Sequence, residues 1–212
     1  MPEVQGLRAR KKERTRHAMI EAALRLFDER GYEETTVAQI ARAADMAPST
    51  FFLHFASKDD VLFAEQHSHL DLASQAIRER SLDDTPATVL VRAFERVIAE
   101  ERALLDRAAE NERRRLRLLL SVPELRAQTL HKIMDAQQAI AAELQAAYPN
   151  QLDPIEAATM VGAMSGAVIS ATIAAFDAEL DGDQLEKAVR RALTRASHGF
   201  TQVNWRPDIA ST

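Results

Sequence analysis

Apolar residues recur at helical spacing along almost the whole chain, and the strict alternation of a half-buried strand is absent from it. The first apolar face is formed by Met19, Ile20, Ala23, Leu24 and Phe27. Gly31 follows as a residue suited to a left-handed helix stop. This pattern predicts a first helix over about residues 11–30.

Capping residues mark the starts of further helices. Thr36 with Gln39 three positions later predicts a capping box, which opens a short helix whose inward positions are Val37, Ile40, Ala41 and Ala44. Thr85 before Pro86, Asp153 with Glu156, and Asp183 with Glu186 indicate other starts. Six further helices are predicted, over 58–80, 86–109, 111–120, 123–147, 154–178 and 184–203. With three helices before residue 56, the prediction is an all-α fold of nine helices.

Two of the predicted helices lie close together between residues 37 and 55. About three residues, 45–47, separate them, which is the length that a helix-turn-helix needs. The second helix starts at Pro48, where a proline loses no helical hydrogen bond. Pro48, Ser49 and Thr50 are small enough for the first turn to approach a DNA groove.

The aromatic residues of this second helix divide between two faces. Phe51 and Phe55 are four positions apart and are expected to pack inward. Phe52, Leu53 and His54 then lie nearer the surface. Exposed aromatic groups beside a basic residue are typical of a contact surface.

Charge is distributed unevenly along the chain, which has a net charge of −5 and no cysteine. Without cysteine, disulfides, thiolate metal sites and thiol nucleophiles are excluded. Residues 1–60 carry ten basic and ten acidic side chains, against 17 and 22 in the remainder. Residues 1–16 include six of the basic ones, which predicts a DNA-binding basic arm; the alternative is a solvated tail.

The chain resembles the N-terminal signature of the tetracycline-repressor (TetR) family over about residues 14–62. The residues that carry the resemblance are Ala22, Ala23, Leu26, Phe27, Gly31, Tyr32, Thr35, Thr36, Val37, Ile40, Ala41, Ala44, Thr50, Phe52, His54, Phe55, Ser57 and Lys58. The resemblance implies a homodimeric transcription regulator with an N-terminal helix-turn-helix and a C-terminal helical domain. It implies double-stranded operator DNA and a small-molecule effector as partners, and a cytoplasmic location.

The resemblance also implies roles for individual residues. Thr36, Thr50, His54 and Lys58 correspond to positions that contact DNA phosphates, although Thr36 can equally serve only as a cap. Base reading is expected from Pro48, Ser49, Leu53 and Gln39, with Phe52 part of the same surface.

The sequence departs from the commonest family pattern at three positions. Asp45 replaces a turn glycine, Ala47 a capping serine and Phe52 a tyrosine. Aspartate tolerates a left-handed turn, and a missing cap costs about 1 kcal/mol, so the fold prediction stands. The missing tyrosine hydroxyl removes a phosphate hydrogen bond.

Twenty consecutive residues, 157–176, carry no charge. Seven are alanine and six are glycine, serine or threonine, which is weak support for membrane insertion, and no membrane partner is predicted. A helix that is apolar on two faces is expected to be buried twice, once in its own domain and once against a second copy. The predicted dimer interface comprises Val161, Gly162, Met164, Gly166, Val168, Ala171, Leu185, Val189, Ala192, Leu193 and Ala196.

The middle helices contain candidate effector-binding residues, namely Phe63, His67, Phe94, Met134, Met164 and Phe176. The alternative for each is ordinary core packing. The double phenylalanine motif together with residues 123–126 loosely resembles actinobacterial regulators, some of which respond to acyl-CoA thioesters, so an apolar or acyl-type effector is expected. An effectorless or partner-controlled DNA-binding protein is the other interpretation.

Enzymatic signatures are missing from the sequence. His67 and His69 are two positions apart, a poor spacing for one metal ion on a helix, and no phosphate loop or nucleophile motif occurs. No catalytic residue, metal or cofactor is predicted. The expected division is a DNA-binding domain over 1–56, an effector and dimerisation domain over 57–203, and a flexible tail over 204–212.

Overall fold

The computed structural model of the protein describes the backbone of residues 2–64 and 66–201, and most side chains between residues 10 and 199. The helices are α1 (Pro2–Arg30), α2 (Val37–Ala43), α3 (Pro48–Phe51), a 3-10 turn (Asp59–Val61), α4 (Gln66–Arg78), α5 (Pro86–Ser121), α6 (Pro123–Ala147), α7 (Pro154–Asp177) and α8 (Gly182–Thr201). The predicted all-α, nine-helix fold is confirmed for these residues, with one of the nine a 3-10 turn. The predicted tail, 204–212, lies outside the described residues.

The largest boundary error of the sequence prediction concerns α5. Helices were expected over 86–109 and 111–120, but one helix runs from Pro86 to Ser121. No proline or glycine lies between its second residue and its end, so nothing in the local sequence stops it. The break expected at residue 110 was therefore wrong.

Three other predicted boundaries need correction. The segment before residue 11 was expected to be an arm, but α1 begins at Pro2, a residue suited to a first helical turn. The helix expected over 58–80 is a 3-10 turn followed by α4. The second helix of the motif ends at Phe51 rather than near Phe55.

The predicted caps explain where several helices begin. Asp153 accepts a hydrogen bond from the Glu156 backbone N–H at 2.7 Å, and the Glu156 side chain accepts one from the Asp153 N–H at 2.8 Å. At α8 the equivalent pair is Asp181 with Gln184, two residues before the predicted pair Asp183 and Glu186. The two pairs have the same chemistry, so local sequence alone did not separate them.

The chain divides into two compact units. Unit 1 consists of residues 1–66 and 110–129, and unit 2 of residues 67–109 and 130–212. The predicted boundary at residue 56 remains a prediction about function, whereas packing assigns the end of α5 and the start of α6 to unit 1.

Unit 1 has a continuous apolar core. Its largest buried side chains come from α1, α2, α3 and the turns that follow α3 up to residue 63, and two more come from α5 and α6. They include Met19, Leu24, Phe27, Ile40, Phe51, Phe55, Leu62, Phe63, Leu119 and Leu125. Because α2 and α3 bury their apolar sides here, their polar sides face outward.

Unit 2 has its own apolar core, built from α4 to α8. Its buried members include Ile77, Leu90, Leu144, Tyr148, Leu152, Met160, Val161, Met164, Val189 and Leu193. One side of α7 therefore packs within unit 2. Of the described helices, α7 is also the one long and apolar enough to span a membrane by length and composition. Its buried side is accounted for by this core.

Candidate DNA-binding site

The site begins at the N-terminus of α2, where Thr36 and Gln39 form the predicted capping box. The Gln39 backbone N–H donates to Thr36 Oγ1 at 3.3 Å, and Gln39 Oε1 accepts from the Thr36 N–H at 2.8 Å. Gln39 Oε1 also accepts from the Thr36 hydroxyl at 3.1 Å. The amide oxygen of Gln39 is thus used locally, and only its amide nitrogen is left for a base edge.

The turn between α2 and α3 has the left-handed residue that the sequence predicts. Asp45 has a φ of 57°, and the next residue, Met46, donates its N–H to the Ala41 carbonyl at 2.8 Å. Ala47 precedes α3 and provides no side-chain cap, because its methyl group cannot accept a hydrogen bond. Pro48 occupies the first turn. The turn therefore forms despite both departures from the family pattern.

The aromatic residues at the end of α3 lie on different sides of the chain, as predicted. Phe51 is completely buried, whereas Phe52 is 59% and Leu53 is 75% exposed. Pro48 and Ser49 are exposed as well. These four exposed side chains and the half-buried Thr50 form one surface, on which Ser49 is the best hydrogen-bonding group for a base edge.

His54 lies between this surface and α1. Its Nδ1 atom is buried and has no hydrogen-bond partner among the described residues, so Nε2 is the ring nitrogen that remains for an outside acceptor. Burial lowers the pKa of His54 below its ordinary value, and the positive charges of Lys12 and Arg16 add to the shift. In the free protein the neutral form is therefore favoured.

Lys58 is held in place by Tyr32. Its Nζ atom donates to the Tyr32 carbonyl at 2.9 Å and lies 4.0 Å from the centroid of the Tyr32 ring. A lysine ammonium has three N–H donors, so donors remain for a DNA phosphate. The Tyr32 hydroxyl donates to Asp59, and burial with this bond raises the pKa of Tyr32. Neither Tyr32 nor Asp59 was singled out as a site residue from the sequence.

Arg16, predicted as part of the basic arm, is instead tied into unit 1. Its guanidinium donates to the Ala64 carbonyl at 2.6 Å and lies 5.8 Å from the Phe55 ring centroid. Of the other basic residues of the predicted arm, Arg10, Lys11, Lys12 and Arg14 are exposed on α1, and the side chain of Arg8 lies outside the described residues. The candidate basic residues thus lie on a helix rather than on an extended arm.

The predicted effector-binding residues differ in burial and in the core to which they belong. Phe63 belongs to the core of unit 1, and Met134 is 58% exposed on α6; their assignment to an effector site stays a prediction. Met164 is fully buried in the core of unit 2, with Phe94 packed against that core and Phe176 half-buried. The side chain of His67 lies outside the described residues. In the part of the chain that is described, no three metal-ligating side chains cluster.

The predicted dimer residues also divide into two groups. Val161, Met164, Val189 and Leu193 are buried within unit 2, and Val168, Ala171, Leu185 and Ala196 pack against the same core. Gly166 is exposed, and Gly162 and Ala192 are partly exposed. The apolar stripe expected at an interface is therefore mainly the inner side of the unit's own core, because a sequence pattern does not tell the two apolar sides of α7 apart.

A pH experiment tests the prediction that His54 contacts the DNA backbone. A phosphate beside the ring would favour the charged form, so the pKa of His54 would be higher in the complex than in the free protein. The affinity for DNA then rises as the pH falls through the pKa that His54 has in the complex. It levels off below the pKa that His54 has in the free protein. Between pH 8 and pH 6 we expect a several-fold gain, at most about tenfold per pH unit for one proton.

His54→Gln should remove most of this gain, and His131→Gln, a change at an exposed histidine on α6, should leave it intact. Fluorescence anisotropy with a labelled duplex at several pH values measures both. An unchanged pH dependence in His54→Gln would place His54 away from the DNA backbone.

A capped helix, a left-handed turn and a second short helix followed by exposed Phe52 and Leu53 define a helix-turn-helix, DNA-binding protein. A family model described as bacterial regulatory proteins of the tetR family matches residues 19–64. A second model, described as the MftR C-terminal domain, matches residues 86–201, more than half of the chain. The chain belongs to the TetR family of transcription regulators.

Individual relatives agree with this assignment. The transcriptional regulator TcmR of Streptomyces glaucescens is 41% identical over 101 residues, which are 48% of this chain and 45% of that protein. The chain covers less than two thirds of the length of the curated relatives it matches.

Two solved structures share the fold. The SmeT–triclosan complex, whose protein is from Stenotrophomonas maltophilia, has a TM-score of 0.56 at 18% identity and covers 87% of this chain and 90% of its own. Thermus thermophilus FadR in complex with lauroyl-CoA has a TM-score of 0.52 at 21% identity. The match covers 92% of this chain and 100% of the FadR chain. At these identities the likeness shows the fold alone.

Proposed function

We propose that the protein is a cytoplasmic, homodimeric transcription repressor that binds a palindromic operator and releases it when a small molecule binds. The observation that carries the proposal is the exposed surface of residues 48–53, where Ser49 on α3 and Phe52 and Leu53 just after it are exposed beside the buried Phe51. Thr36, Thr50, His54 and Lys58 are assigned to phosphate contacts. These contacts position the protein, while Ser49 and the Gln39 amide nitrogen supply direct base readout.

Selection from a random duplex library tests the DNA-binding part of the proposal. A symmetric dimer presents two copies of α3, so the enriched sequences should form an inverted repeat. Their half-sites should be about one helical turn, roughly 10 base pairs, apart, or a multiple of it. Enrichment of no common sequence would refute sequence-specific binding.

The outer side of α7 is the proposed dimer surface. Residues on this side are uncharged and mostly small, and they remain exposed in the single chain: Ile155, Ala158, Thr159, Ala163, Gly166, Ser170 and Ile173. A Cβ placed on Gly162 or Gly166 would meet no atom within 4 Å. Both glycines therefore leave open space beside the helix, into which a second copy can bring its backbone close.

Gly166→Arg tests this surface. Within one chain the arginine has room, and a helix-interior glycine is about 0.8–1.0 kcal/mol less favourable than alanine, so the fold of unit 2 should tolerate the change. Across a close helix pair it introduces a large charged side chain. We expect mass photometry to show monomers for Gly166→Arg and dimers for wild type.

Ala146→Arg is the matched control, because it adds the same side chain at an exposed small residue of α6. It should remain dimeric. A dimeric Gly166→Arg would move the interface away from α7.

The effector is proposed to be apolar or acyl-like and to bind in unit 2. Phe94, Met160 and Met164 belong to or pack against its core, and methionine side chains adapt their shape to ligands readily. The related folds of SmeT and FadR were solved with triclosan and lauroyl-CoA. If either compound matches the proposed class of effector, adding it should make the protein release the selected duplex. A tightly bound native effector should also appear in mass spectra of the protein purified from its host.

One observation favours a regulator without an effector. Met160, Met164 and Leu144 are at most 2% exposed, so the core of unit 2 is closed around them. An effectorless or partner-controlled repressor would keep this core closed. Its duplex affinity would not respond to apolar small molecules, whereas that of the sensor would.

A further inference from the structure

A partly buried carboxylate in unit 1, that of Asp59, joins the 3-10 turn to a distant helix. One oxygen of Asp59 accepts from the Tyr32 hydroxyl, and the other accepts from Gln128 Nε2 at 2.7 Å. Gln128 lies on α6, 69 residues further along the chain. Both partners of Asp59 are thus donors from other elements, and the carboxylate holds them in fixed relative positions.

Tyr32 connects this carboxylate with the DNA-binding surface. Its ring is 7% exposed and packs on Phe27 with the centroids 5.2 Å apart. Its carbonyl and the face of its ring both contact the ammonium group of Lys58. A displacement of the Tyr32 ring would therefore move one of the two groups that hold Lys58, the face of the ring.

We propose that Gln128 is a positioning residue for the phosphate contact of Lys58, acting through Asp59 and Tyr32. This role rests on the proposed function, because it requires that Lys58 contacts DNA. Gln128 holds the Asp59 carboxylate, Asp59 holds the Tyr32 hydroxyl, and Tyr32 holds the ammonium group. When Gln128 moves away, Asp59 loses one of two charge-assisted hydrogen bonds and Lys58 is no longer fixed in one place.

Gln128→Ala tests the proposal, with Gln138→Ala as its control. Gln138 is an exposed glutamine ten residues further along α6 and has no role in the DNA-binding surface. Affinity for the selected duplex is measured by fluorescence anisotropy at several salt concentrations. We expect Gln128→Ala to weaken binding about 3- to 10-fold and to reduce the slope of log affinity against log salt by up to about 0.9, the value for one phosphate contact. Gln138→Ala should stay within about twofold of wild type.

A double-mutant cycle with Lys58→Ala separates positioning from a general loss of structure. If Gln128 acts through Lys58, then adding Gln128→Ala to the Lys58→Ala protein should cost no further affinity. If Gln128 only stabilises unit 1, the two losses should multiply. Thermal unfolding of each variant shows whether the fold is intact at the assay temperature.

The outcomes distinguish this proposal from the proposed function. A wild-type chain that prefers no sequence over a scrambled duplex would refute both. A wild-type chain that binds specifically, together with independent effects of the two substitutions or equal behaviour of Gln128→Ala and Gln138→Ala, would refute the positioning role alone.

Discussion

Phe51→Ala is expected to lower the free energy of unfolding by about 3–5 kcal/mol, the usual cost of removing a fully buried ring. Phe51 is 0% exposed and lies between the rings of Phe52 and Phe55, at centroid distances of 5.7 and 5.2 Å. The cavity left by the ring would lie in the core that supports α2 and α3. Urea denaturation followed by circular dichroism measures the loss. Hydrogen exchange of peptides from residues 19–64 should locate it in unit 1.

Phe52→Ala is the matched control for this prediction. The neighbouring phenylalanine is 59% exposed, so its removal should change the free energy of unfolding by no more than about 0.5 kcal/mol. It should nevertheless weaken DNA binding, because the ring belongs to the proposed contact surface. Equal destabilisation by both substitutions would contradict the assignment of Phe51 to the core and Phe52 to the surface.

Arg115→Ala is expected to lower the free energy of unfolding by a similar amount, about 3–5 kcal/mol, for an electrostatic reason. Arg115 and Glu112 are 6% and 8% exposed on α5, and Nε of the arginine lies 2.8 Å from Oε2 of the glutamate. Without the guanidinium of Arg115, the carboxylate of Glu112 stays buried and lacks this ionic partner. Urea denaturation at pH 7 measures the difference from wild type.

The double variant Glu112→Leu with Arg115→Met identifies the cause. Replacing both charges with apolar side chains of similar size removes the buried carboxylate as well, so much of the stability should return. Arg117→Ala serves as the control, because Arg117 is exposed and its ion pair with Asp28 spans 3.5 Å. It should cost at most about 1 kcal/mol. A double variant as unstable as Arg115→Ala would show that the loss comes from packing rather than from an unpaired charge.

Local signals in the sequence accounted for most of the DNA-binding motif. The capping box at Thr36, the left-handed Asp45 and the opposite placement of Phe51 and Phe52 all depend on residues within four positions of one another. Such interactions are fixed by short-range geometry and can be inferred from spacing. Their confirmation explains why this motif could be assigned from the sequence.

Longer-range features could not be inferred in the same way. Gln128 meets Asp59 across 69 residues, and no periodicity relates the two positions. Met134 has the hydrophobicity of a core residue but lies exposed on α6, since burial depends on which elements pack there. The uncharged sequence of α7 predicted two apolar faces, and packing shows that Val161 and Met164 lie on the inner one.

The binding of a dimer to a two-fold symmetric site is the central claim, and one titration tests it most directly. The selected duplex is compared with the same duplex carrying one scrambled half-site, with affinity from anisotropy and stoichiometry from mass photometry at fixed salt. We predict an even number of chains per intact duplex, and an affinity for it at least about 10³-fold above that for random DNA, within the usual range of specific binding. Scrambling one half-site should remove most of that preference. One chain per duplex, or equal affinity for the intact and half-scrambled duplexes, would contradict the account.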